Sequence, residues 1–378
     1  MKLFLIAGEP SGDRLGAALM QGLTTLAPGV EFVGVGGPLM QAEGLRSLFP
    51  MDELSVMGIA EVLPKYRALK RRIRECADAV ADLRPDALIT IDSPDFNLRV
   101  ARLVKESRPD LRTIHYVAPS VWAWRPGRAA KMAKWIDHVL ALLPFEPPYM
   151  TAAGMSCDFV GHPVVSEHRA TPDEARKFRE NIGQDPMILA LPGSRRSEIM
   201  RLAPIIGQVL ERVVAVHPKA GVLLPTLPSV SDLVHEVTRG WPIQPRIIEE
   251  TSGKRVAFQA ADVAIAASGT VSLELAANRV PMVIAYDMSP LTMWLMRRMA
   301  LIDTVTLVNL VSETRHVPEF LGTDCRPHRI APAILRLLEG GDATAGQREA
   351  MELTMQRLGE GGEPPGLRAA RSVLSALQ

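Results

Sequence analysis

Leu191-Pro192-Gly193-Ser194-Arg195 closes the apolar run 187–191, and a long helical pattern follows from 196 to about 216. The order is therefore strand, tight turn, helix. Open α/β sheets bind ligands outside the carboxyl ends of their strands, and the free N–H groups of the next helix favour an anion. Gly193 lets the backbone approach closely, and Arg195 offers a planar fork for phosphate oxygens. A second such turn, Ala267-Ser268-Gly269-Thr270, follows the apolar run 263–266. One such turn is a weak signal. Two, one of them with an arginine, point to a diphosphate site. The alternative is a general scaffold in which Arg195 and Arg196 are solvated and the glycines merely end strands.

The rest of this half repeats the alternation, with strands expected at 187–191, 221–224, 246–248, 263–266 and 281–285. A parallel sheet with helices on both faces is expected. Thr171-Pro172-Asp173-Glu174 reads as a capping box opening a helix. Glu274 lies one turn beyond the second phosphate-binding end, where a carboxylate can accept the hydroxyls of a ribose; a solvated helix residue is the plain alternative. Asn309, in Thr306-Leu307-Val308-Asn309-Leu310, is expected in a loop or strand end facing a cleft.

The first half has the same rhythm. Strand 3–7 leads into Gly8-Glu9-Pro10-Ser11-Gly12-Asp13 and a helix to about 26, with Ser11 as its N-cap. Neither this turn nor Gly34-Val35-Gly36-Gly37 has the spacing of a dinucleotide fingerprint, so a redox cofactor has no support. Strand 87–91 ends in Asp92-Ser93-Pro94-Asp95-Phe96-Asn97. Either carboxylate can cap a helix starting near Asn97, or one can take a proton from a hydroxyl nucleophile. Asp92 is read as structural and Asp95 as chemical. Strand 112–117 leads to Ala118-Pro119-Ser120-Val121-Trp122-Ala123-Trp124-Arg125, a binding wall or a packing anchor. His162, before Pro163, reads equally as a ligand contact or a structural residue.

A helix from Pro64 carries Tyr66, Leu69, Ile73, Cys76, Val80 and Leu83 on one face. Lys65, Arg67, Lys70, Arg71, Arg72 and Arg74 lie on the other. With the apolar piece 54–63 before it, this can meet an anionic membrane surface. From the residues alone an ordinary amphipathic helix is preferred.

Totals narrow the classes. A chain of 378 residues exceeds one core, so two domains are expected. Net charge of +1 gives no argument for nucleic acid. Cys76, Cys157 and Cys325 are odd in number and far apart, which suits reduced thiols in the cytoplasm. Leu3 to Ala7 stops at Glu9-Pro10 and is no signal peptide. No apolar stretch spans a bilayer; 281–302 is broken by Asp287, Pro290, Arg297 and Arg298.

Taken in order, the motifs resemble the lipid-A-disaccharide synthase family. They are Ala7-Gly8-Glu9-Pro10-Ser11-Gly12-Asp13, Ile91-Asp92-Ser93-Pro94-Asp95-Phe96-Asn97, and His115-Tyr116-Val117 continuing to Trp122-Ala123-Trp124-Arg125. Leu143-Pro144-Phe145-Glu146, Gly161-His162-Pro163 and the two turns at Gly193 and Gly269 complete the series. The resemblance spans about residues 3 to 325. It implies an inverting glycosyltransferase of the GT-B architecture, two Rossmann-like lobes with parallel sheets around a cleft. The expected division is 1–165 for the acceptor and membrane side and 166–340 for the UDP-sugar side. Helices in 341–378 would cross back or exchange with a partner chain in a homodimer.

The implied donor is UDP-2,3-diacylglucosamine and the implied acceptor 2,3-diacylglucosamine 1-phosphate. The products are a β-1,6-linked disaccharide phosphate and UDP, formed on the cytoplasmic face of the inner membrane. Within that context membrane contact by the basic helix is favoured. Asp95 matches the family's base. Gly193, Ser194, Arg195, Ser268, Gly269, Thr270, Glu274 and Asn309 fall on the donor side. Gly8, Glu9, Ser11, Gly12, Asp13, Asp92, Asn97, Trp122, Trp124, Arg125 and His162 fall on the acceptor side or cleft. No Asp-x-Asp metal motif is present, so no metal or other cofactor is expected. Asp287, Val308 and Phe320-Leu321-Gly322-Thr323-Asp324 depart from the family pattern near the donor. Two rivals are a nucleotide-sugar epimerase or undecaprenyl-linked transferase on the same scaffold, and a non-catalytic two-lobed sugar-binding protein.

Overall fold

A computed structural model describes the backbone of residues 1–54 and 59–378, and the side chains of these except 59–66, 290, 291, 295 and 297. Two compact units are present: Met1–Ser166 with Gly361–Gln378, and Glu167–Glu360.

The first unit runs β1 (Lys2–Ala7), α1 (Pro10–Leu26), β2 (Glu31–Val35), α2 (Pro38–Ala42), β3 (Arg46–Ser47), α3 (Ile59–Leu83), β4 (Ala87–Ile91), α4 (Pro94–Ser107), β5 (Arg112–Tyr116), α5 (Gly127–Met132), β6 (His138–Ala141), α6 (Pro147–Thr151) and β7 (Ser156–Phe159). Its sheet has the order β3-β2-β1-β4-β5-β6-β7, with every pairing parallel. All five residues of β4 are buried, which is why it is an unbroken apolar run and not an alternating one. The order reverses between β1 and β4. Such a switch point opens a crevice at the carboxyl ends of the two strands.

The second unit runs α7 (Pro172–Ile182), β8 (Met187–Leu191), α8 (Arg196–Val214), β9 (Gly221–Pro225), α9 (Ser231–Thr238), β10 (Arg246–Ile248), α10 (Thr251–Ala260), β11 (Val263–Ala267), α11 (Val271–Ala277), β12 (Met282–Tyr286), α12 (Pro290–Met299), α13 (Leu307–Ser312), β13 (Glu319–Leu321), α14 (Pro327–Glu339) and α15 (Asp342–Arg357). The order β10-β9-β8-β11-β12-β13, again parallel, puts the switch point between β8 and β11. The capping box at Thr171 and Glu174 forms as its spacing predicts, opening α7 with Pro172 in the first turn.

The last helix, α16 (Pro365–Ala376), packs on α1 of its own chain. Ser372 donates to Asp158 at 2.6 Å and meets His138 Nε2 at 2.8 Å, while Arg368 donates to the Phe159 carbonyl at 2.7 Å. Helix α15 instead packs on α11 and α13.

Several boundaries differ from the sequence reading. Helix α1 starts at Pro10 with Glu9 as N-cap, so Ser11 sits inside the first turn. Proline is preorganised for the first helical position and has no N–H to satisfy there. For the same reason α4 starts at Pro94 and not near Asn97, with Ser93 as N-cap, so neither Asp92 nor Asp95 caps it. Helix α3 begins at Ile59, ahead of Pro64. Of the apolar piece 54–63, residues 55–58 lie outside the described residues, as do the side chains of 59–63. No helix among the described residues is long and apolar enough to cross a membrane.

Candidate functional site

In the second unit, the two turns singled out in the sequence leave neighbouring strands, since Leu191 stands opposite Ala266 in the parallel register. They form one cavity of about 450 Å³, lined by Gly193, Ser194, Arg195, Ser268, Gly269, Thr270 and Glu274. Gly193 has φ +115°, and a Cβ there would stand 2.6 Å from the Glu198 Cβ. Only glycine keeps the turn this close to the start of α8.

Glu198, which the sequence reading missed, is held by the turn. One of its carboxylate oxygens accepts from the backbone N–H groups of Ser194 (3.2 Å) and Arg195 (3.4 Å). The other accepts from the Arg195 guanidinium at 2.8 Å. Two converging N–H groups and an arginine fork already hold an anion, here the chain's own carboxylate. Lys254 of α10 was also missed. Its Nζ lies 2.5 Å from the Glu274 carboxylate and over the Phe258 ring. The spacing i, i+3 of Arg195 and Glu198 on a helix start could have flagged the first; nothing local links Lys254 to Glu274, twenty residues away.

Asn309 is not in this cavity, and the expectation of a loop position is corrected. It lies within α13, 1% exposed. Its amide hydrogens go to Thr304 Oγ1 and the Val317 carbonyl, and its oxygen accepts from Val317 N–H. Its amide hydrogens and its amide oxygen all take part in holding the segment 304–317 together. Asp287, at a position departing from the family pattern, pairs with Arg201 at 3.5 Å.

In the first unit, a cavity of about 440 Å³ opens at the carboxyl end of β4. It is lined by Glu9, Asp92, Ser93, Asp95, Lys70 and Arg99 among others. The turn is strained: Asp92 (φ +51°) and Ser93 (φ +43°) are successive left-handed residues. Such strain persists only where surrounding contacts enforce it. Asn97 is the enforcer, 0% exposed, donating to the carbonyls of Ile91 (3.1 Å) and Asp92 (2.7 Å). Its amide hydrogens therefore shape the turn, while its Oδ1 is buried without a hydrogen bond among the described residues. The reward is Asp95, exposed in the first turn of α4 with no side-chain hydrogen bond among the described residues.

Several other residues grouped with the acceptor side have partners within the fold. Asp13, 2% exposed, accepts from the N–H groups of Gly37 (2.9 Å), Leu39 (3.0 Å) and Met40 (3.0 Å), clamping the start of α2. Trp122 is buried edge-on to Phe145, with ring centroids 5.1 Å apart. Its N–H donates to Glu146 at 3.2 Å, and burial pushes the Glu146 carboxyl up to about 7. His162 Nδ1 accepts from Val164 N–H at 3.2 Å, and burial holds its pKa down to about 4, so it is neutral. Trp124 is half-buried under the exposed Arg125 guanidinium, 4.2 Å from the ring centre. Gly8 and Gly12 are buried against the strand ends, and Ser11 is exposed. On α3, Arg72 is not part of a free basic face. It is held by Glu53 at 2.7 Å and Glu75 at 2.6 Å and lies over Phe49.

Solved structures share this architecture. A UDP-GlcNAc 2-epimerase from Neisseria meningitidis bound to UDP-GlcNAc matches with TM-score 0.64 at 12% identity, over 100% of this chain and 99% of that one. Acinetobacter baumannii MurG matches with TM-score 0.55 at 13% identity, over 100% and 99%. Two parallel-sheet lobes of this kind define the GT-B architecture of glycosyltransferases. The family model for lipid-A-disaccharide synthetase matches residues 3–364. The lipid-A-disaccharide synthase of Ruegeria pomeroyi is 60% identical over 387 aligned positions, covering 100% of this chain and 96% of the relative. The chain belongs to the lipid-A-disaccharide synthase family, and it is a UDP-sugar-dependent glycosyltransferase.

Proposed function

We propose that the chain transfers 2,3-diacylglucosamine from its UDP derivative to O6 of 2,3-diacylglucosamine 1-phosphate, with inversion. The observation that carries the donor half is the capture of the Glu198 carboxylate by Ser194, Arg195 and their N–H groups, an anion site at a sheet switch point. In the reaction the acceptor O6 attacks the anomeric carbon as the bond from that carbon to the UDP oxygen breaks. The proton of O6 passes to Asp95, and the electron pair leaves on UDP. Arg195 and the two glycine turns stabilise the charge gathering on the diphosphate. Glu274, steadied by Lys254, accepts the ribose hydroxyls. The first unit thus activates the acceptor and the second the leaving group.

Acylated substrates lie in a bilayer, and the exposed Arg67, Lys70, Arg71 and Arg74 of α3 suit an anionic inner-membrane surface. On this reading the enzyme is peripheral to the cytoplasmic face of that membrane.

The test is mass spectrometry of the product made by purified protein from both acylated substrates, alongside Asp95→Asn. A tetra-acylated disaccharide phosphate with stoichiometric UDP is expected. Asp95→Asn should lose roughly a hundredfold to ten-thousandfold in turnover while still binding UDP. Unchanged turnover in that variant removes Asp95 as the base. Turnover of unacylated UDP-N-acetylglucosamine as fast as the acylated donor removes the acyl-sugar reading.

A further inference from the structure

Beside the cavity at Asp95, the first unit carries another of about 540 Å³ walled by α3, α4 and α5. Lys70, Arg74, Arg99, Arg102 and Lys131 line it over an apolar floor that includes Trp135, and among the described residues no carboxylate does. Five like charges around one concavity repel each other and focus a positive field into it. Among the described residues only Arg102 has an ion-pair partner, Glu106 at 3.6 Å, with both side chains about half exposed. The contrast with Arg72 on the same helix is direct, since two carboxylates neutralise that arginine. The groove's cations are thus left for a ligand from outside the fold.

The groove adjoins the proposed acceptor cavity, because Lys70, Ile73 and Arg99 line both. Arg99 follows Asp95 by four residues on α4, so the two share a helix face and lie about 6 Å apart along its axis. That is comparable with the span of one pyranose ring from O6 to the anomeric oxygen. A hexosamine phosphate with its O6 at Asp95 would carry its anomeric phosphate towards Arg99 and Lys70. We infer that this groove, through Arg99 and Lys70 foremost, recognises the phosphate monoester of the acceptor, while Asp95 addresses the hydroxyl at the other end of the same sugar. The inference rests on the proposed reaction. A monoester carries up to two negative charges, and a guanidinium can engage two of its oxygens at once. The groove is then the reason that a phosphorylated acceptor is chosen over its phosphate-free counterpart. An anionic phospholipid headgroup offers the same phosphate chemistry, so the test separates the two sources.

The experiment measures kcat/KM for the full-length protein with the phosphorylated acceptor and with the same diacylated sugar lacking phosphate. Arg99→Gln and Arg99→Lys are compared with wild type. Binding to phosphatidylglycerol vesicles is measured in parallel. Wild type should prefer the phosphorylated acceptor, and Arg99→Gln should shrink that preference by roughly tenfold to a hundredfold, mainly through KM. Arg99→Lys should restore part of it. An unchanged preference in Arg99→Gln, with reduced vesicle binding, assigns the groove to bilayer lipid and overturns the inference. An equal loss with both acceptors marks Arg99 as structural and also overturns it. Disaccharide formed equally well from both acceptors by wild type overturns this inference alone; none from either overturns the reaction on which it rests as well.

Discussion

Asp13→Ala should destabilise the first unit without touching nucleotide binding. The carboxylate is 2% exposed and accepts three backbone N–H groups at the start of α2. One oxygen serves Gly37 and Met40, and the other serves Leu39. Truncation strands three donors, each worth about 1 kcal/mol or more if left unsatisfied, so a loss of about 3 kcal/mol is expected. Asp13→Asn can keep its amide oxygen on Gly37 and Met40 and sacrifice only the Leu39 contact, so about 1 kcal/mol is expected. Gly37→Ala should act in the same direction, because its Cβ would stand 2.5 Å from the Asp13 carboxylate. Two units unfold in this chain, so a single midpoint is ambiguous. Hydrogen exchange read by mass spectrometry should show faster exchange in β2 and α2 peptides, with β8 and β11 peptides unchanged. UDP affinity by calorimetry should stay constant. Local exchange at the wild-type rate in Asp13→Ala, together with a hundredfold loss of turnover, would refute the clamp and return Asp13 to the reaction.

Arg195→Ala should weaken UDP binding by roughly tenfold to a hundredfold, the worth of a charge-assisted contact. Glu198→Gln should strengthen it by removing the carboxylate that competes for the same donors; calorimetry on both variants checks the pair, and weaker binding in Glu198→Gln would contradict that competition. Glu146 is an acid whose pKa is raised to about 7 in the fold by burial, so the folded state holds its proton longer than the unfolded chain. Stability should therefore fall as pH rises from about 4.5 to about 7 and then level off, by up to about 3 kcal/mol. Urea melts of wild type and Glu146→Gln across that range test this, the variant lacking the slope. Reversing Arg67 and Arg71 to glutamate should lower co-sedimentation with anionic vesicles, whereas Arg72→Glu should chiefly lower stability, because Arg72 is already paired within the fold.

The sheets were legible from sequence because their central strands are buried on both faces. Burial on both faces demands an unbroken apolar run, and the run at 87–91 is fully buried as β4. The same holds for β8 and β11. The glycine turns and the Thr171 capping box were legible because short-range backbone geometry restricts which residues fit. What could not be read were side chains whose partners lie far along the chain. Asp13 meets residues 24 to 27 positions away, Trp122 meets Glu146, and Lys254 meets Glu274. In the sequence each is a polar or aromatic residue near a motif, equally suited to ligand or scaffold. Only the packed fold shows that Asp13, Asn309 and Trp122 are engaged internally, and that Asn97 commits its amide hydrogens to the turn while its Oδ1 stays buried without a hydrogen bond among the described residues. The pattern of residues along the chain thus determined the class of fold and the two glycine turns, because periodicity and turn geometry are local. Which polar groups hold the scaffold and which stay available for chemistry was decided by tertiary structure alone, because a hydrogen bond's partner is chosen by distance in space.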